Sequence, residues 1–174
     1  KGKGIAIKGG IYDYIETADG ILLVTKTTSN DFLNYLDPST GMITFEKPVK
    51  IDGQVVGIVP LDNGILIITT ETMNILDPKN GTLKWGKGIS TSPGLTAEKD
   101  GKIYAFDAKT RTVKVVDLTS GSIRDLSGVS IKFEGGEGPK SLEVMDDGVF
   151  IHGDQNVAKI SFDGPLAFQK YYAA

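Results

Sequence analysis

Apolar and polar positions along this chain alternate in short runs. The segments ILLVTKT, ILIITT, KIYAFDA and VFIHGD each begin directly after a glycine. They are rich in β-branched and aromatic residues, the composition of half-buried strands. No convincing stretch carries apolar residues at i, i+3, i+4 and i+7, the spacing an amphipathic helix needs. The pattern predicts an all-β protein.

The runs also repeat. Asp37, Asp77 and Asp117 stand 40 residues apart, and Gly41, Gly81 and Gly121 follow each by four positions. The copies read YLDPSTGMITF, ILDPKNGTLKW and VVDLTSGSIRD, with a shortened fourth, ISFDGPLAF, around Asp163. A second marker precedes each copy: Asp19-Gly20, Asn63-Gly64, Asp100-Gly101 and Asp147-Gly148. Asn-Gly and Asp-Gly are the pairs a type I′ hairpin turn prefers, because both central residues take φ > 0. Each unit therefore reads as strand, tight turn, strand, short loop, strand, tight turn, strand.

Four short antiparallel strands in about 40 residues, repeated, describe a β-propeller blade. The predicted blades cover 11–51, 54–89, 92–133 and 140–172 of a single domain or fragment. Residues 4–8, GIAIK, read as a leftover strand of a preceding blade. The expectation is a piece of a larger, about eight-bladed ring. A small closed four-bladed ring is the competing reading. A half-ring would expose the flat apolar faces of its terminal blades, and those faces call for missing blades or a second copy of the chain.

Composition narrows the chemistry. The chain has 174 residues, with 40% hydrophobic and 24% charged, which is ordinary for a globular domain. Its formal net charge is -3, and Lys and Arg are scattered, so nucleic acid is not an expected partner. No run reaches the roughly 18 apolar residues of a membrane helix. The absence of Cys removes disulfides, thiolate metal sites and cysteine nucleophiles. The single histidine, His152, rules out a multi-histidine metal site built from this chain alone. The chain begins at Lys1 with no signal-peptide pattern, which reads as a mature or trimmed piece.

The segment ILDPKNGTLKW resembles the repeat of pyrroloquinoline-quinone-like (PQQ-like) β-propellers. Leu76, Asp77, Asn80, Gly81, Leu83 and Trp85 fill that repeat's pattern. Leu36, Asp37, Thr40, Gly41, Ile43 and Phe45 match it with Phe in place of Trp. Val116, Asp117, Ser120, Gly121 and Ile123 match it with Asp125 at the aromatic position, and Phe168 keeps the aromatic in the last copy. The resemblance implies one of two functions. One is a non-enzymatic scaffold that binds a protein or polymer, as does a lipoprotein of outer-membrane β-barrel assembly. The other is a quinone-dependent dehydrogenase that holds PQQ with calcium. The adjacent cysteine pair of the quinoproteins is missing here. The resemblance also implies the periplasm or cell envelope.

Four features compete as sites. The Asp-x-x-x-Gly corners at Asp37, Asp77 and Asp117, with the shortened one at Asp163, could be read as cation loops, but in the full corners glycine stands fifth rather than sixth and ligand density is low. They read better as Asx-type turns, with Gly41, Gly81 and Gly121 at positive φ. Trp85, the one tryptophan, reads as a residue packing between blades rather than a platform for a quinone or sugar. His152 and Asp154 share one face of a strand pattern and could move a proton, yet no nucleophile accompanies them. The linker FEGGEGPKS, with Glu134 and Glu137, is the most irregular connection and a candidate contact loop. The expected catalytic, cofactor and metal residues are none.

Overall fold

The computed structural model describes residues 7, 9–28, 31–135, 138–163 and 166–172. Among them, strands form four antiparallel sheets in sequence order, and one 3-10 turn, Pro93–Leu95, joins the second sheet to the third. Blade 1 comprises β1 (Gly10–Thr17), β2 (Gly20–Lys26), β3 (Asp31–Asp37), β4 (Met42–Ile43) and β5 (Val49–Ile51). Blade 2 comprises β6 (Val55–Leu61), β7 (Gly64–Thr69), β8 (Thr72–Leu76) and β9 (Ile89–Ser90). Blade 3 holds β10 (Thr96–Lys99), β11 (Lys102–Asp107), β12 (Thr112–Asp117) and β13 (Ile123–Asp125). Blade 4 holds β14 (Ser141–Val144), β15 (Gly148–His152), β16 (Asn156–Ser161) and β17 (Leu166–Tyr171). Each sheet is a simple meander, the order that tight hairpins enforce and that propeller blades share.

The chain divides into two compact units, Lys1–Ile89 and Ser90–Ala174. In the first, Leu22, Val24, Leu33 and Tyr35 pack with Ile65, Ile67 and Leu76 in one buried cluster. In the second, Phe106, Val113 and Val115 pack with Val149, Ile151, Ala158 and Ile160. These side chains follow the period of two that puts alternate strand residues on one face. Each fully buried Leu, Ile or Val contributes roughly 1.5–3 kcal/mol of transfer free energy.

The opposite face of blade 1 is buried as well. Leu23 and Phe32 are buried, and so are Thr25 and Asn34 on the same face. The first blade does not present a bare apolar sheet. Its exposed large apolar residues are Ile11, Tyr12 and Tyr14 on β1 and Met42 on β4. The predicted strand at 4–8 lies outside the described residues, apart from Ile7.

Two differences from the expectation have clear physical causes. The marker glycines were expected at the centre of type I′ turns. In blade 3 that holds, with Asp100 at φ 52° and Gly101 at φ 69°. In blades 1 and 2 the two-residue loops are Ala18-Asp19 and Asp62-Asn63, and the glycine opens the next strand. Blade 4 turns likewise through Asp146 and Asp147, ahead of Gly148. There the third strand comes too close for a side chain. A Cβ on Gly20 would meet the Tyr35 ring at 2.6 Å, one on Gly64 would meet Ile75 at 2.7 Å, and one on Gly148 would meet the Ile160 carbonyl oxygen at 2.3 Å. Close approach, rather than positive φ, selects glycine at Gly20 and Gly148.

The fourth strands also differ from the prediction. TLKWGK was expected to be the outer strand of blade 2. Only Leu83 bridges to Leu76, the chain then turns over 84–87, and β9 resumes pairing at Ile89. Blade 1 repeats the break, since β4 and β5 both pair with β3 and 44–48 leave the ladder.

Candidate functional site

The Asp corners are closed on themselves. In blade 1 the Asp37 carboxylate accepts the Ser39 amide at 2.8 Å and the Ser39 hydroxyl at 2.7 Å, and Gly41 donates its amide to the Asp37 carbonyl at 2.8 Å. The Ser39 hydroxyl and amide hold the Asp37 carboxyl down at about 2. In blade 2, Asp77 accepts the Lys79 amide at 2.9 Å and the Asn80 side-chain amide at 3.1 Å. In blade 3 the Ser120 amide and hydroxyl hold the Asp117 carboxyl below its usual range. Gly41, Gly81 and Gly121 all take positive φ, at 67°, 75° and 65°. Asp163 is exposed at the end of β16, and its turn residues 164–165 lie outside the described set.

A cation at these corners would have to displace the turn's own donors. No group of three acidic or histidine side chains placed to hold a metal occurs among the described residues. The corners therefore hold their aspartates as turn acceptors rather than as open cation loops.

A further corner escaped the sequence pattern because it has no glycine. Between β11 and β12, Asp107 accepts the Lys109 amide at 2.9 Å, and Arg111 donates its amide to the Asp107 carbonyl at 2.7 Å. Arg111 takes the glycine position at φ 59°, and its Nε donates to the Ile131 carbonyl at 2.8 Å. The string DAKTR carries only the Asp of the marker.

Trp85 is half-buried within the turn that interrupts the outer strand. Asn74, three residues before the corner Asp, organises that turn. Its Oδ1 accepts the amides of Ile75 and Trp85, and its Nδ2 donates to the Gly86 carbonyl at 3.0 Å. The equivalent pair in blade 3 is Lys114 and Asp125, joined at 2.7 Å. A salt bridge there replaces the amide clamp, which accounts for Asp125 at the repeat's aromatic position. Phe45 of blade 1 is buried and stacks on Tyr35 with centroids 5.9 Å apart.

The structure does not assemble His152 and Asp154 into a pair. Asp154 lies beyond the end of β15 and takes the Lys140 ammonium. The His152 ring stacks on Phe150 with centroids 6.4 Å apart, and its Nε2 is buried without a hydrogen-bond partner among the described residues. In the linker, Glu134 is exposed while its main chain is clamped by Asn156, which accepts the Glu134 amide and donates to its carbonyl, both at 3.0 Å. Phe133 anchors this end edge-on to Phe106 at 6.4 Å. Glu137 lies outside the described residues.

A concave feature lies in the first unit, on the side of the two-residue hairpin turns. It encloses about 790 Å³ between Asp19 of blade 1, Asp62 of blade 2 and the Asp77–Lys79 corner, with Tyr35 and Leu61 in its wall. A second hollow of about 440 Å³ shares Asp19, Tyr35, Pro78 and Lys79 and extends the groove toward Thr44. At the opposite end of the same unit a polar hollow of about 370 Å³ lies beside buried Asp31, whose carboxylate receives Tyr12 Oη at 2.5 Å and the Val55 amide at 3.2 Å. That contact ties blade 1 to blade 2, and burial followed by the Asp31 hydrogen bond raises the Tyr12 phenol.

Comparison with models of protein families yields no match, and no curated protein matches either. Solved structures give partial likenesses. One is BamB from Moraxella catarrhalis, at 15% identity and a TM-score of 0.47 over 95% of this chain and 53% of that one. Another is the N-terminal domain of Nup159, at 13% and 0.48 over 94% and 47%. A third is Kluyveromyces lactis Hsv2, at 15% and 0.45 over 90% and 49%. The chain spans about half the length of these structures. At such scores the likenesses carry no argument about activity or partners. The sheets themselves define the architecture: this chain is a run of antiparallel meander blades of the β-propeller kind.

Proposed function

We propose that this chain is a non-enzymatic interaction module, built from PQQ-like propeller blades, that holds a protein or polymer partner against its hairpin-turn side. One observation carries this reading. A groove in the first unit runs across two blades and is walled by turn residues, whose side chains can vary without disturbing the ladders beneath. Exposed aromatic residues on the first strand, Tyr12 and Tyr14 of β1, support a second contact region in the first unit. We read that region as the junction with further blades or with a second copy. The PQQ-like resemblance supports a periplasmic or cell-envelope location as part of this reading.

The quinoprotein reading is tested directly. Adding PQQ with calcium to the full protein is expected to leave Tm unchanged and to give no alcohol- or sugar-dependent dye reduction. A ligand in large excess over its Kd adds several kcal/mol to stability, so a clear upward shift together with turnover would replace the scaffold reading. Saturable binding to a panel of polypeptides and polysaccharides is the positive outcome. Sedimentation velocity checks the junction: self-association supports it, and a monodisperse monomer across the accessible concentration range removes the second copy.

A further inference from the structure

We propose that the hairpin-side groove between blades 1 and 2 binds an extended polypeptide segment carrying a lysine or arginine side chain. This inference rests on the interaction-module reading and gives it a site and a ligand class. The groove is continuous, since its two hollows share Asp19, Tyr35, Pro78 and Lys79. Its walls supply apolar surface from Pro60, Leu61 and Pro78.

The charges lining it are not equivalent. Asp77 is engaged by its own turn, accepting from the Lys79 amide and the Asn80 side chain. Lys84 donates its ammonium to the Asn63 carbonyl. Asp19 and Asp62 are exposed, one on the first hairpin turn of each blade, and neither carboxylate has a hydrogen-bond or ion-pair partner among the described residues. The Lys79 ammonium is equally free.

The groove thus offers two uncommitted carboxylates on one wall system and one uncommitted cation beside them. A polyanion would meet both carboxylates, and a simple cation would leave Lys79 without an acceptor. An extended peptide satisfies both groups, with a cationic side chain for Asp19 or Asp62 and backbone carbonyls for Lys79. Its aliphatic stem would lie on Pro60 and Leu61. A neutral sugar would hydrogen-bond to these groups through its hydroxyls and leave both carboxylate charges uncompensated.

The test starts from a phage-displayed library of random peptides selected on the full protein. Enriched peptides are then synthesised and measured by fluorescence anisotropy. Asp19→Asn/Asp62→Asn removes the two carboxylates, and Asp52→Asn at the far end of the unit is the control. All three positions are exposed, so the folds are expected to stay intact. Enriched sequences should contain Lys or Arg. Their Kd should rise at least tenfold in the double variant, stay unchanged in Asp52→Asn, and weaken several-fold in high salt, where exposed charge pairs are screened. Peptides lacking a basic residue, or Kd values indifferent to the double variant, would overturn the groove assignment while leaving the interaction module standing. Failure to enrich any peptide overturns the groove proposal as well. Added to quinone-dependent turnover, that failure would remove the interaction module too.

Discussion

At the residue scale, glycine serves two separate purposes in one sequence context. Gly101 and Gly148 both follow an aspartate and both precede an apolar strand. Gly101 has positive φ and open space where a Cβ would stand, whereas a Cβ on Gly148 would strike the Ile160 carbonyl. Asparagine tolerates the left-handed region, so Gly101→Asn is expected to change stability by less than about 0.5 kcal/mol. Gly148→Ala should cost about 2–3 kcal/mol through overpacking against main chain that cannot rotate away. Urea unfolding of the two variants checks the contrast, and equal costs would refute it.

The corner aspartates make a residue-scale prediction in pH. The Asp37 carboxyl titrates at about 2, below the roughly 3.9 of an unfolded chain. Its turn therefore contributes stability above the unfolded value and loses it as pH falls through the folded one. In Ser39→Ala the hydroxyl donor is gone, so the Asp37 carboxyl resonance should titrate closer to 3.9. An unmoved titration would show that the backbone amides alone set it.

At the scale of elements, the notable feature is the outer strand that leaves its ladder and returns. In blade 2 that excursion is organised by Asn74, which is buried and serves three main-chain groups. Asn74→Ala leaves those groups unserved, at a cost of about 2–3 kcal/mol. Trp85 sits in the same turn and is the only tryptophan, so its emission should shift to the red in the folded variant. In blade 3 the corresponding Lys114–Asp125 pair is partly exposed, and Asp125→Ala should cost under about 1 kcal/mol. Comparable losses at the two sites would contradict the distinction between an amide clamp and a surface ion pair. None of this was legible beforehand, because TLKWGK alternates like an ordinary strand. The detour depends on an asparagine eleven positions away, which only the third strand brings alongside.

At the scale of the whole molecule, the two units have separate cores. Hydrogen exchange should be slowest in the central strands whose residues are mostly buried on both faces, β2, β3, β7 and β8 in one unit and β11 and β12 in the other. The short outer pieces β4 and β9 should exchange fastest. A uniform protection profile would contradict cores built this way. The meander within each sheet was legible in the sequence, because tight turns between short strands are set by local turn chemistry. The groove could not be anticipated in the same way. Asp19, Asp62 and Lys79 are ordinary turn residues in the sequence, and they share a wall only because blade 2 folds against blade 1.

By itself, the sequence determined the all-β class, the meander pattern of the blades and the corners at Asp37, Asp77 and Asp117. Those properties depend on local turn preference, a side-chain period of two and composition, none of which needs a distant contact. Tertiary structure alone decided three other matters. It selected close approach over positive φ as the reason for Gly20 and Gly148. It separated His152 from Asp154 by giving Asp154 to Lys140. It gathered unpaired charges from two blades around one groove. Each depends on which strands and turns come within a few ångströms of one another, and chain-neighbour chemistry does not specify that.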